Sequence, residues 1–71
     1  MDLKWDDGFS IAVSIKDNTV TLSANREGLL SLANHLMTLA QDPCQGAHMH
    51  LDQYNSLEKN SAELIIEKIN N

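Results

Sequence analysis

The chain has 71 residues, of which 42% are apolar, and its five basic and ten acidic residues give a net charge of −5. This length suffices for one hydrophobic core, so we expect a single domain spanning residues 1–71. The acidic balance argues against nucleic acid or an anionic membrane as partner, because both attract basic surfaces, and it suits a basic protein partner.

The cellular compartment is suggested by what the sequence lacks. Cys44 is the only cysteine, so no intramolecular disulfide forms, and a lone thiol favours a reducing environment. The first residues show neither the basic start nor the apolar run of a signal peptide, and no run of about 18 apolar residues occurs. We therefore expect a cytoplasmic protein.

Two alternating runs open the chain. Large apolar residues occupy every second position of Ser10–Lys16, and the same period returns in Thr19–Ala24. This is the pattern of half-buried strands. Asp17 and Asn18 separate the two runs, and both residue types tolerate turn conformations. The segment predicts a β-hairpin with a two-residue turn.

A helix follows, because the apolar period changes to three and four residues. The pattern predicts a helix over residues 26–41, with Asn25 as its N-cap and Asp42-Pro43 as its end. The apolar stripe predicted to face the core consists of Leu29, Leu32, Ala33, Leu36, Leu39 and Ala40. Leu30 and Met37 lie at one flank of this stripe. They either widen the core contact or form a contact with a partner or a second copy.

Two further strands are predicted at His48–Asp52 and Ala62–Ile69, separated by the polar loop Gln53–Ser61. The Glu and Lys residues of the last segment would also allow a short helix. The order β-β-α-β-β predicts an α+β fold, a two-layer sandwich in which one helix covers a mainly antiparallel four-stranded sheet. Two strand orders, 2-1-3-4 and 1-2-4-3, are both compatible with this pattern.

Alternation along the strands assigns their side chains to two faces. The face toward the helix is predicted to hold Ile11, Val13, Ile15, Val20, Leu22, Met49, Leu51, Leu64 and Ile66. The opposite face of the hairpin is rich in hydroxyl groups. On the last two strands the opposite face is charged, and it is predicted to hold His48, His50, Asp52, Glu63, Ile65 and Glu67.

The run His48-x-His50-x-Asp52 is the sharpest local feature. Residues two apart on a strand project side by side, so these three are candidate metal ligands, and Glu63 or Glu67 could complete a set. Histidine pairs are also common on polar strand faces. We therefore expect a solvated or partner-binding face in preference to a metal site, and no cofactor.

Catalysis is the less favoured class of function. Cys44 with His48 or His50 could form a nucleophile–base pair, but a lone cysteine in a short loop is usually inert. No serine elbow or glycine-rich phosphate loop occurs. Trp5, beside Asp6 and Asp7, is interpreted as a plug over the core edge, with an aromatic interface anchor as the alternative. We expect a binding protein rather than an enzyme.

The residues from about Ser23 to Lys68 resemble the immunity protein 32 family. The resemblance rests on the helix opening Asn25–Leu29, the continuation Leu32-Ala33-x-x-Leu36, the strand Gly46-x-His48-x-His50-Leu51-Asp52, and Ser61-x-x-Leu64-Ile65-Ile66. It implies a small bacterial protein that neutralises a toxin of a polymorphic, contact-dependent system and is encoded beside the toxin gene.

Together, the residues and the resemblance predict a non-catalytic protein whose partner is a cognate toxin, and the acidic balance suits a basic toxin. The predicted interface consists of His48, His50, Asp52, Tyr54, Glu63 and Glu67. A metal-binding module using His48, His50 and Asp52, and a structural homodimer with Leu30 or Ile65 in its contact, remain the alternatives.

Overall fold

A computed structural model describes residues 4–69. The elements follow in the order β1 (Ile11–Lys16), β2 (Thr19–Ala24), α1 (Arg26–Gln41), β3 (His48–Leu51) and β4 (Leu64–Glu67). The α+β class and the β-β-α-β-β order are confirmed.

The hairpin β1–β2 is antiparallel, with Ile11 opposite Ala24 and Lys16 opposite Thr19. Its turn residues Asp17 and Asn18 have φ angles of 50° and 64°. Two successive left-handed residues twist the turn in the same sense as the strands, which is why Asp and Asn suit this position. The predicted hairpin and its two-residue turn are confirmed.

Helix α1 has the predicted bounds, and Asn25 is its N-cap. The Asn25 Oδ1 accepts hydrogen bonds from the backbone N–H of Gly28 at 2.8 Å and of Ser10 at 3.0 Å, while its Nδ2 donates to Gly8 O. One side chain thus satisfies a free helix N–H and ties the helix to the segment entering β1. Within residues 4–69, no helix is long and apolar enough to cross a bilayer.

The strands form two antiparallel pairs, β1–β2 and β3–β4, in place of the predicted four-stranded sheet. Backbone bonds join the pairs at one place only among the described residues: Glu58 N–H donates to Ile11 O and Ala62 N–H donates to Val13 O, both at 2.8 Å. The segment entering β4 therefore lies beside β1 and runs in the same direction. Both predicted strand orders are wrong, because they place β3 beside β1 or β4 beside β2.

The core lies where the helix, the first half of the hairpin and the β3–β4 pair meet. Its buried apolar residues are Ile11, Val13, Leu32, Leu39, Met49, Leu51 and Leu57. Ile15 and Val20, predicted to face the helix, are instead 63% and 60% exposed. The helix begins one residue after β2, at the Ile11–Ala24 end of the hairpin, so the turn end extends beyond the core.

The helix is rotated about its axis relative to the prediction. Its buried residues are Gly28, Ser31, Leu32, His35 and Leu39, while four residues predicted as core are exposed: Leu29, Ala33, Leu36 and Ala40. The polar Ser31 and His35 bond to backbone groups of the N-terminal segment: Asp6 N–H donates to Ser31 Oγ at 2.8 Å, and His35 Nε2 donates to Lys4 O at 2.7 Å. These bonds reduce the free-energy cost of burying the two polar side chains. His35 Nδ1 is buried without a hydrogen-bond partner among the described residues.

The close approach of the segment entering β1 to the helix at Gly28 also requires this face of the helix to point toward the core. A Cβ at Gly28 would lie 2.5 Å from Ser10 O and 2.9 Å from Ile11 Cγ1, so only glycine fits there.

The Trp5 ring packs on the same side of the helix. It stacks on Phe9 with a centroid separation of 4.7 Å and meets His35 edge-on at 4.1 Å. Trp5 is half-buried against the core, as expected of an edge plug.

Candidate functional site

The charged residues singled out in the sequence lie around the outer side of the β3–β4 pair. Met49 and Leu51 point into the core, so the alternate residues His48 and His50 point outward, and Ile65 and Glu67 do the same on β4. We call this surface the open face, consisting of His48, His50, Asp52, Tyr54, Glu63, Ile65 and Glu67.

The register determines which of these side chains meet. His48 lies opposite Glu67, and His50 lies opposite Ile65. Glu63, one residue before β4, reaches diagonally to His50, and its Oε2 accepts a 2.8 Å bond from His50 Nε2. His50 thus contacts a carboxylate across the ladder, and His48 has Glu67 as its register partner.

This ion pair changes the protonation of His50. The hydrogen bond to Glu63, and then the negative charge of Glu63 itself, raise the pKa of His50 above its ordinary value, with a smaller contribution from Asp52. Both side chains are about half exposed, so solvent screens the pair. Near neutral pH the open face therefore carries more positive charge at His50 than a free imidazole would.

Asp52 organises the loop that leaves β3. Its Oδ1 accepts from the backbone N–H of Tyr54 at 2.9 Å and of Asn55 at 3.1 Å, an Asx-type turn. The Asn55 side chain then donates to His50 O and accepts from Asp52 N–H. Sequence reasoning missed this role of Asn55, although an asparagine three residues after an aspartate is typical of turns. Tyr54, in this loop, is 87% exposed.

Three of the residues suggested as metal ligands come together, and His48 is not one of them. One ligand atom each from His50, Asp52 and Glu63 lies within 4.8 Å of the others. His48 is outside this group; its Nδ1 lies 3.3 Å from Gly46 O. One nitrogen and two carboxylate oxygens suit a divalent transition metal, with water completing the coordination.

Cys44, suggested as a nucleophile beside a histidine, lies in the loop that follows α1. Cys44 is exposed and lines an open cavity of about 240 Å³ with Pro43, Gln45, Gly46, Lys68 and Ile69, and no histidine lines it. Its backbone N–H donates to Asp42 Oδ1, which lowers the pKa of that carboxyl group. A side-chain hydrogen bond from Cys44 lowers the pKa of Asp42 as well, so the titratable group beside the Cys44 thiol is this carboxyl group.

The fold and this surface define the class of protein: a small α+β domain that presents a charged, partly apolar strand face outside its core. The comparison with known families then gives the particular group. Residues 19–69, most of the chain, match the family model described as Immunity protein 32. The chain belongs to the immunity protein 32 family. No curated protein and no solved structure matches it.

Proposed function

We propose that this chain is an immunity protein that neutralises a cognate bacterial toxin in the cytoplasm by binding it through the open face. Family membership supports the class of function. The observation that supports the surface is its composition: Ile65, 54% exposed, lies opposite His50 on a face with carboxylates, and Tyr54, 87% exposed, is two residues beyond Asp52. An exposed aromatic or aliphatic anchor within a polar rim is the usual anatomy of a protein interface.

The charges on this surface suggest what the toxin offers. Asp52, Glu63 and Glu67 are negative, and the whole chain carries −5. A basic toxin surface, such as the rim of a site that binds nucleic acid or another anion, would complement them and would be steered to them at low salt. Binding there occludes the toxin's site without chemistry by the immunity protein.

The experiment begins by co-expressing the protein with the product of its neighbouring gene and asking whether the two co-purify and whether cells survive. Affinity is then measured for the double variant Asp52→Asn, Glu63→Lys. Asparagine keeps the oxygen that Tyr54 and Asn55 N–H groups use, so the loop stays folded. We expect affinity to fall roughly 10- to 100-fold and to depend less on salt.

The matched control is Asp7→Lys, which changes the charge of the exposed N-terminal segment near Trp5. It should leave affinity nearly unchanged. If the double variant binds like the wild type, or if Asp7→Lys weakens binding more, the open face is not the toxin interface.

Metal binding is the second candidate function, favoured by the convergence of His50, Asp52 and Glu63. Zinc would then raise the melting temperature of the wild type and not of His50→Ala, because a ligand that binds only the folded state stabilises it. A melting temperature independent of zinc removes this candidate and leaves toxin binding untouched.

A further inference from the structure

One side of helix α1 is apolar and uncovered. Six residues that share this side are exposed, with Leu29 at 53%, Leu30 at 41%, Leu36 at 42% and Met37 at 61%. The two alanines of the set, Ala33 and Ala40, are exposed as well. We call these six residues the helix seam: Leu29, Leu30, Ala33, Leu36, Met37 and Ala40.

The seam repeats every seven residues, since Leu29, Leu30 and Ala33 are each followed by an equivalent residue at Leu36, Met37 and Ala40. Seven residues are close to two helical turns, so such a repeat makes a straight contact line along the helix. Leu30 and Met37 occupy the a positions of a heptad, and Ala33 and Ala40 occupy the d positions. Alanine at every second contact lets two helices approach closely.

The seam also lacks charge. From Gly28 to Gln41 the helix contains no Asp, Glu, Lys or Arg, although the chain as a whole carries −5. Interface centres are depleted in charged residues. Two copies of an acidic chain repel each other unless they meet where charge is absent, and the seam satisfies that condition. A basic partner would instead be drawn to the carboxylates of the open face.

The accessible surface area of the chain is also consistent with a second copy as the partner. The chain has 5210 Å² of accessible surface, whereas a compact protein of this mass exposes about 4,400 Å². The excess of about 800 Å² belongs to the whole chain, to which both the seam and the exposed turn end of the hairpin contribute, and it is of the size that one partner contributes to a standard interface. A twofold contact satisfies the seam on both copies at once, since each presents the same patch.

We infer that the protein forms a homodimer in which the helix seams of two copies pack against each other. Each copy then carries its open face outside the contact. The dimer is thus separate from the proposed toxin interface, and one does not depend on the other.

The test is sedimentation equilibrium of the full chain, alone, over a wide range of concentrations. We expect a mass twice the 7.9 kDa of one chain, and for Met37→Glu a dissociation constant raised by about 100-fold or more, because the carboxylate would be buried unpaired. Met37 is exposed in the single copy, so circular dichroism and the fold of that copy should not change.

Two further variants make the result specific. Ala33→Gln adds bulk without charge where the two helices are expected to approach each other most closely, and it should also weaken the dimer. Ile65→Glu, an equally exposed apolar residue on the open face, should leave it intact. The inference is overturned if the chain is monomeric at every concentration, if Met37→Glu dimerises like the wild type, or if only Ile65→Glu dissociates the dimer.

Discussion

The His50 imidazole and the Glu63 carboxylate form an ion pair at 2.8 Å that joins β3 to the residue preceding β4. The pair raises the pKa of His50. Its contribution to stability is therefore fully present below the unfolded value of about 6.5 while Glu63 is ionised, and is lost as the pH rises through the raised folded value.

We expect Glu63→Gln to lower the pKa of His50 toward that of a free imidazole. An NMR titration of the His50 ring protons in both proteins measures the difference directly. The control is Glu67→Gln, which removes a carboxylate from the same face but one opposite His48. An identical His50 titration in Glu63→Gln and wild type would show that the ion pair is not formed in solution.

A second prediction concerns the contact beneath Gly28. Alanine normally stabilises a helix by about 1 kcal/mol relative to glycine. Here its Cβ would lie 2.5 Å from the backbone oxygen of Ser10, which has little freedom to move. We expect Gly28→Ala to lower the free energy of unfolding by about 1–3 kcal/mol. Urea denaturation measures it, with the exposed helix position Asn34→Ala as a control that should be slightly stabilising; equal effects would contradict this account.

The Asn25 cap makes three hydrogen bonds, two through Oδ1 and one through Nδ2. Asn25→Ala loses all three and should cost about 2 kcal/mol of unfolding free energy. Asn25→Asp keeps the acceptor oxygen and loses only the donor to Gly8 O, so its cost should be smaller. Thermal and urea unfolding of both variants test this order, and an aspartate variant as unstable as the alanine variant would contradict it.

Lys68 supplies the cation that the last turn of α1 lacks. Its Nζ donates to Ala40 O at 2.9 Å and to Asp42 O at 2.8 Å, which links the end of the chain to the end of the helix. We expect Lys68→Met to cost about 1–2 kcal/mol, since it leaves two terminal carbonyl groups without this donor. Lys59→Met, at an exposed loop position, is the control and should change stability little. Equal denaturation midpoints for the two variants would show that the links do not stabilise the fold.

Local patterning alone predicted the hairpin, its turn, the helix bounds and the α+β class. The alternation of β1 and β2 across Asp17-Asn18 and the cap at Asn25 are decided by neighbours a few residues apart, so the sequence contains the whole cause. The outward positions of His48, His50 and Glu67 follow from strand periodicity for the same reason. That the open face binds a toxin stays a prediction.

Only the tertiary structure decided the sheet arrangement and the rotation of the helix. Ile15, Val20, Leu29 and Leu36 have the spacing of core residues, yet they are exposed. Burial depends on where distant segments pack. The N-terminal segment bonds to Ser31 Oγ and His35 Nε2 from more than twenty residues away, and residues 58–62 bond to the free edge of β1. Such contacts between distant segments leave no periodic mark in the sequence, so apolar spacing identifies a helix stripe without showing which part of it the fold covers.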